Sequence, residues 1–131
     1  MKSIVLVEDD RDSRLLVRSL LSEFYKVIEY ETGFEALLGL RDLAPDLVIL
    51  DVSLPGMSGP ELLRRLRTDK RLENVPVIAL TAHASTSDRE EYLQAGFDGY
   101  VAKPIVDDEA FLQAVKGWLN QRRRTAMSSE A

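Results

Sequence analysis

Apolar residues fall in short runs separated by longer amphipathic stretches, and the two kinds alternate along the whole chain. Leu47-Val48-Ile49-Leu50 is an unbroken aliphatic run, preceded by Ala44-Pro45-Asp46 and leading directly into Asp51. Such a run predicts a strand buried on both faces, ending at a carboxylate. Similar short runs predict strands at Ser3–Val7, Lys26–Tyr30, Pro76–Leu80 and Gly99–Ala102. The second is more polar and suits an edge.

Between them lie segments of helical period. Arg11–Phe24 places Leu15, Leu16, Leu20, Leu21 and Phe24 on one stripe, and a helix from Gly33 to Asp42 turns Ala36, Leu37 and Leu40 inward. Ser58-Gly59-Pro60-Glu61 opens a third helix, with a serine cap, proline in its first turn and Leu62, Leu63 and Leu66 inward. Thr86–Ala95 is a polar helix stopped by Gly96, and Asp107–Gln121 packs Phe111, Leu112, Val115, Trp118 and Leu119. Met57 reads as loop packing.

Five strands, each followed by a helix, predict an α/β fold: a (βα)5, doubly wound, five-stranded parallel sheet with helices on both faces. The flavodoxin-like strand order 2-1-3-4-5 makes a three-layer sandwich and sets ligand chemistry at the C-terminal rims of the strands. On that rim the chain offers Asp9 and Asp10 after the first strand, Asp51 at the third, Thr81 at the fourth and Lys103 at the fifth.

Composition narrows the class. At 131 residues, 45% hydrophobic and 30% charged, the chain suits one globular domain over residues 1–121, with a short tail, 122–131, expected to be disordered. It has no cysteine, which excludes disulfides, thiolate metal sites and cysteine nucleophiles. Neither a signal peptide nor a membrane span is legible, so a cytoplasmic location is expected. A net charge of −5 argues against broad nucleic-acid binding. The basic cluster Arg122-Arg123-Arg124 reads as cations complementing a helix C-terminus.

Three crowded carboxylates repel unless a cation intervenes. A hard divalent ion, Mg²⁺ or Mn²⁺, answers to oxygen ligands of this kind. With Lys103 and the Thr81 hydroxyl beside it, such a pocket fits phosphoryl transfer, with Asp51 as the nucleophile. Each residue also has a plain structural role open to it: Asp9 and Asp10 as helix caps, Thr81 as a strand end, Lys103 as an ion-pair partner and Tyr100 as a half-buried strand aromatic. Their joint placement on four strand ends favours the chemical reading.

Val7-Glu8-Asp9-Asp10, Asp51-Val52-Ser53-Leu54-Pro55-Gly56-Met57-Ser58-Gly59, Leu80-Thr81-Ala82 and Lys103-Pro104 resemble the receiver domain of bacterial two-component response regulators, over about residues 2 to 121. The resemblance implies that Asp51 accepts phosphate from a histidine kinase or phosphotransfer protein. It implies that Asp9, Asp10, Asp51 and the Ser53 carbonyl hold Mg²⁺, and that Lys103, followed by a cis peptide to Pro104, binds the phosphoryl group. Thr81 and Tyr100 match the switch pair, which remodels the face of the fourth helix, fifth strand and fifth helix for a downstream protein. Ser53 and His83 stand where the water approaching the acyl phosphate would pass and are expected to set its lifetime. The resemblance implies a regulatory binding module rather than an enzyme, its own chemistry confined to self-phosphorylation and self-dephosphorylation.

Two unrelated functions compete. A flavin-binding domain shares the sheet but wants a neutral phosphate loop where this chain has Glu8-Asp9-Asp10, and a haloacid-dehalogenase-type phosphatase wants a second aspartate where it has Ser53. Few residues follow the last helix, so a complete chain would act as a stand-alone receiver. The wording around Pro55–Pro60 and Leu80–Ala84 is also similar to receivers fused to hybrid sensor kinases, which leaves an excised fragment as the alternative.

Overall fold

The computed structural model describes residues 1–121. Five strands, β1 (Ser3–Val7), β2 (Lys26–Tyr30), β3 (Leu47–Asp51), β4 (Val77–Thr81) and β5 (Gly99–Ala102), pair in parallel in the order β2-β1-β3-β4-β5. The helices are α1 (Arg11–Leu21), α2 (Gly33–Gly39), α3 (Gly59–Leu66), α4 (Thr86–Ala95) and α5 (Asp108–Gln121), with a single 3-10 turn at Lys70–Leu72. The predicted (βα)5 topology is the one observed. The expected tail, 122–131, and its arginine cluster lie outside the described residues.

Strand alternation divides the core in two. Val5, Val7, Val48, Leu50, Val77 and Ala79 point to one face, where Ala36, Leu40, Leu62, Leu63, Leu66 and Phe97 cover them. Ile4, Leu6, Leu47, Ile49, Ile78 and Leu80 point to the other, against Val17, Leu21, Phe111, Val115 and Leu119. Every residue of β3 and β4 is buried, as strands covered on both faces must be. β2 lies at an edge and is only half-buried.

Local chemistry starts and stops the helices. Asp10, Thr32, Ser58 and Ser85 each accept a hydrogen bond from the amide three residues on, and Ser85 with Asp88 completes a reciprocal capping box. Gly96 ends α4 with φ 110°, a left-handed conformation that glycine adopts without strain. Two helices are shorter than their periodicity suggests. α1 ends at Leu21, leaving Phe24 half-exposed, and its buried stripe is Val17 and Leu21, so Leu15 and Leu16 turn partly to solvent. α2 ends at Gly39, where the Leu40 amide caps back to Ala36. Trp118, expected in the core, is half-buried against it, while Met57 is buried.

Candidate functional site

The parallel sheet brings four strand ends to one rim. Asp51 closes β3 and is buried. Its Oδ1 accepts from the Ser53 amide at 2.7 Å, and its Oδ2 lies 2.7 Å from Lys103 Nζ. The Lys103 backbone amide donates to the Thr81 carbonyl, so the β4 end holds the start of the β5 loop. Lys103-Pro104 is a cis peptide, as expected.

The second partner of Lys103 is Glu8. Its Oε1 sits 2.6 Å from Nζ, and the residue is wholly buried. Glu8, Asp9 and Asp51 each present a carboxylate oxygen within 4.8 Å of the others, a grouping that could hold a metal ion. Asp10 does not join it. Its carboxylate caps α1 by accepting from the Ser13 amide at 2.9 Å. The grouping thus takes in Glu8 and Asp9, where the sequence had suggested Asp9 and Asp10. The cause is local: β1 ends at Val7, and the helix beginning at Arg11 claims the residue before it as its cap. Arg14 fastens the acidic turn by donating to the Glu8 and Asp9 carbonyls at 3.0 and 3.1 Å.

These surroundings separate the acids. Burial first, and then Asp51, push Glu8 up to about 7. Burial also opposes the charge on Asp51, but hydrogen bonds from Glu8, Lys103 and the Ser53 amide outweigh it and keep that carboxyl below its ordinary range. Burial opposes the charge on Lys103 too, and its two carboxylate partners more than compensate, so its pKa is raised. The Ser13 amide holds the Asp10 carboxyl low, as a helix cap should. An ionised Asp51 beside a Glu8 that titrates near neutral pH makes a site able to accept a divalent cation on proton release.

Thr81 is buried at the end of β4, and its Oγ1 accepts from the His83 amide at 2.9 Å. Tyr92 of α4 places its hydroxyl 2.7 Å from that oxygen and donates to the His83 carbonyl at 2.8 Å. Tyr100 is half-buried in β5, with the Arg89 guanidinium 5.2 Å from its ring centroid. Ser53 and His83 are both exposed, one bound to Asp51 and the other to Thr81 through backbone amides. Sequence reasoning missed Glu8, Tyr92 and Arg89. The first was visible in the run of three acids; the others stand on a polar helix without any local signal.

Comparison with known proteins decides the family. Residues 4–116 match the response regulator receiver domain. The chain belongs to that family. It is 38% identical over 119 residues to the polar-differentiation response regulator DivK of Brucella ovis, covering 90% of this chain and 96% of the relative. The receiver domain of a sensor histidine kinase from Pseudomonas aeruginosa, whose structure has a magnesium ion coordinated in the active-site cleft, superposes with a TM-score of 0.82 at 31% identity, covering 91% and 98%. The chemotaxis response regulator CheY4 of Vibrio cholerae gives 0.83 at 27% identity, covering 89% and 98%. This receiver is thus a response regulator module of two-component signalling. No helix among its described residues is long and apolar enough to cross a membrane.

Proposed function

We propose that this receiver takes a phosphoryl group onto Asp51 from a histidine kinase or histidine phosphotransfer protein and passes the state to a downstream protein. The observation that carries the reading is the convergence of Asp51, Glu8, Asp9, Thr81 and Lys103 on one rim. The donor set fits a hard cation: Glu8, Asp9 and Asp51 would hold Mg²⁺ or Mn²⁺, with the Ser53 carbonyl as a further oxygen ligand. When bound, the ion neutralises charge on the transferring phosphoryl oxygens.

The protein's own groups do the rest. The ionised Asp51 attacks phosphorus, the P–N bond of the donor phosphohistidine breaks, and the imidazole leaves with the bond's electrons and takes a proton. Lys103 exchanges its Asp51 partner for a phosphoryl oxygen and holds the new charge. Thr81 donates its hydroxyl to another, and Tyr100 moves with it, altering the α4-β5-α5 face. Ser53 and His83 flank the path of the hydrolytic water and set the lifetime of the acyl phosphate. The module acts in the cytoplasm as a binding switch, and its only chemistry is on itself.

Incubation with Mg²⁺ and acetyl phosphate, followed by intact-mass measurement, should add one phosphate to wild type and none to Asp51→Ala. Equal uptake by both, or by neither, overturns the reading. Ser53→Asn and His83→Ala should change the decay rate of the phosphorylated form.

A further inference from the structure

Among the described residues, α4 fully buries no side chain, and Leu93, its other large apolar residue, is 56% exposed. Tyr92 is the half-buried aromatic through which the helix meets the sheet. Its ring packs against the core cluster and stands edge-on to Phe97, centroids 6.2 Å apart. Its hydroxyl is committed elsewhere. It shares a hydrogen bond with the Thr81 hydroxyl at 2.7 Å, both hydroxyls reach the His83 carbonyl, at 2.8 Å from Tyr92 and 3.1 Å from Thr81, and the Thr81 oxygen accepts from the His83 amide. Thr81, His83 and Tyr92 thus form a closed set of hydrogen bonds in which the Thr81 proton is already used. One turn earlier on the same helix, Arg89 covers the ring of Tyr100.

From this arrangement we infer that the Tyr92 hydroxyl is a latch on Thr81: it holds the threonine in its unphosphorylated position and ties the position of α4 to that of Thr81. The inference rests on the proposed switch role of Thr81. To donate to a phosphoryl group on Asp51, Thr81 must turn its hydroxyl away from Tyr92 and the His83 carbonyl and give up the shared hydrogen bond. A contact present in only one of two states sets their populations, so the latch opposes activation. Its release frees the side chain that anchors α4, which gives the site a direct physical connection to that surface. Tyr92 is a positioning residue and touches neither phosphoryl group nor metal ligand.

The test uses beryllofluoride with Mg²⁺ as the phosphoryl mimic, titrated calorimetrically into wild type, Tyr92→Phe, Thr81→Ala and the double variant. Phenylalanine keeps the ring and its contact with Phe97 and removes only the hydroxyl. Loss of the hydroxyl's bonds to Thr81 and to the His83 carbonyl from the resting state alone should tighten binding by roughly threefold or more. In the Thr81→Ala background the same substitution should tighten binding clearly less, because the bond to Thr81 is already absent and only the one to the His83 carbonyl is lost. A Tyr92→Phe affinity equal to or weaker than wild type, or the same gain without Thr81, overturns the latch. Failure of wild type to bind the mimic at all overturns the receiver reading of Asp51, and the latch with it. Hydrogen exchange on wild type gives a check that needs no variant: the mimic should speed exchange across residues 86–97, and unchanged exchange there also overturns the inference.

Discussion

Glu8 and Asp51 share one lysine yet titrate apart, and the difference sets how stability responds to pH. The pKa of Glu8 is raised in the fold from 4.5 to about 7. The folded state therefore binds the Glu8 proton more tightly than the unfolded chain does. That contribution is complete below pH 4.5 and is lost as pH rises through 7. Asp51 shifts the opposite way, and its contribution is lost only under more acidic conditions, below its ordinary 3.8. Without divalent metal, the melting temperature should fall between pH 4.5 and about 7, and Glu8→Gln should flatten that fall. Adding Mg²⁺ should reverse it, because the ion binds the ionised carboxylates. A melting series in EDTA and in Mg²⁺ reads all three outcomes. The acids also divide by role. Loss of even a supporting contact weakens metal binding roughly 10–100-fold, so Asp9→Asn should weaken Mg²⁺ by at least about tenfold. Asp10→Ala should leave that affinity near wild type and lower the melting temperature, because it removes the α1 cap. Metal titration and thermal melting of the two variants separate the roles. Sequence pattern placed acids on the rim and picked out Asp9 and Asp10, because three consecutive carboxylates look alike until one is taken by Ser13.

At the scale of elements, what could be read in advance was whatever a local period or a stop residue encodes. The aliphatic runs of β3 and β4 announce buried strands, and Gly96 announces the end of α4. Helix ends and exposed faces were less legible. Leu15 and Leu16 sit beside the buried stripe of α1, and only the packed partner decides which leucines are covered. Tyr92 could not be recognised from the sequence, because its importance comes from a hydroxyl eleven positions away. The junction of β3 with α3 shows how tightly an element can depend on one small residue. Gly59 donates its amide to the Val52 carbonyl at 3.0 Å, and a Cβ there would lie 2.6 Å from Val52 Cα and 2.7 Å from the Asp51 carbonyl oxygen. Those are backbone atoms of Asp51 and its neighbour, and they cannot rotate away. Gly59→Ala should therefore cost about 1–3 kcal/mol in urea unfolding and slow phosphate uptake from acetyl phosphate. Wild-type stability and uptake would show that the α3 start yields freely.

For the whole molecule, the sheet is the shared wall of two cores that exchange no side chains. Leu62 lies wholly buried in the layer under α2 and α3, while Trp118, the single tryptophan, packs against the opposite layer formed with α1 and α5. If the layers melted independently, each would answer only to substitutions on its own side. The strands argue otherwise. Residues of one strand alternate between the cores, Leu50 serving one and Ile49 the other, so a layer cannot loosen without releasing the strands that support its neighbour. Leu62→Ala should remove about 2–5 kcal/mol through lost burial and the cavity it leaves. In denaturant unfolding, Trp118 fluorescence should move to the same lower midpoint as far-UV circular dichroism, although the tryptophan packs against the opposite layer. A Trp118 midpoint left at the wild-type value would mean that the layers unfold separately. Coincident midpoints carry a consequence for signalling as well. A sheet that behaves as one rigid, cooperative unit holds Asp51, Glu8 and Lys103 in fixed register, so the proposed switching would fall to side chains at the rim, to Tyr100 on the edge strand β5 and to α4, which buries no side chain fully.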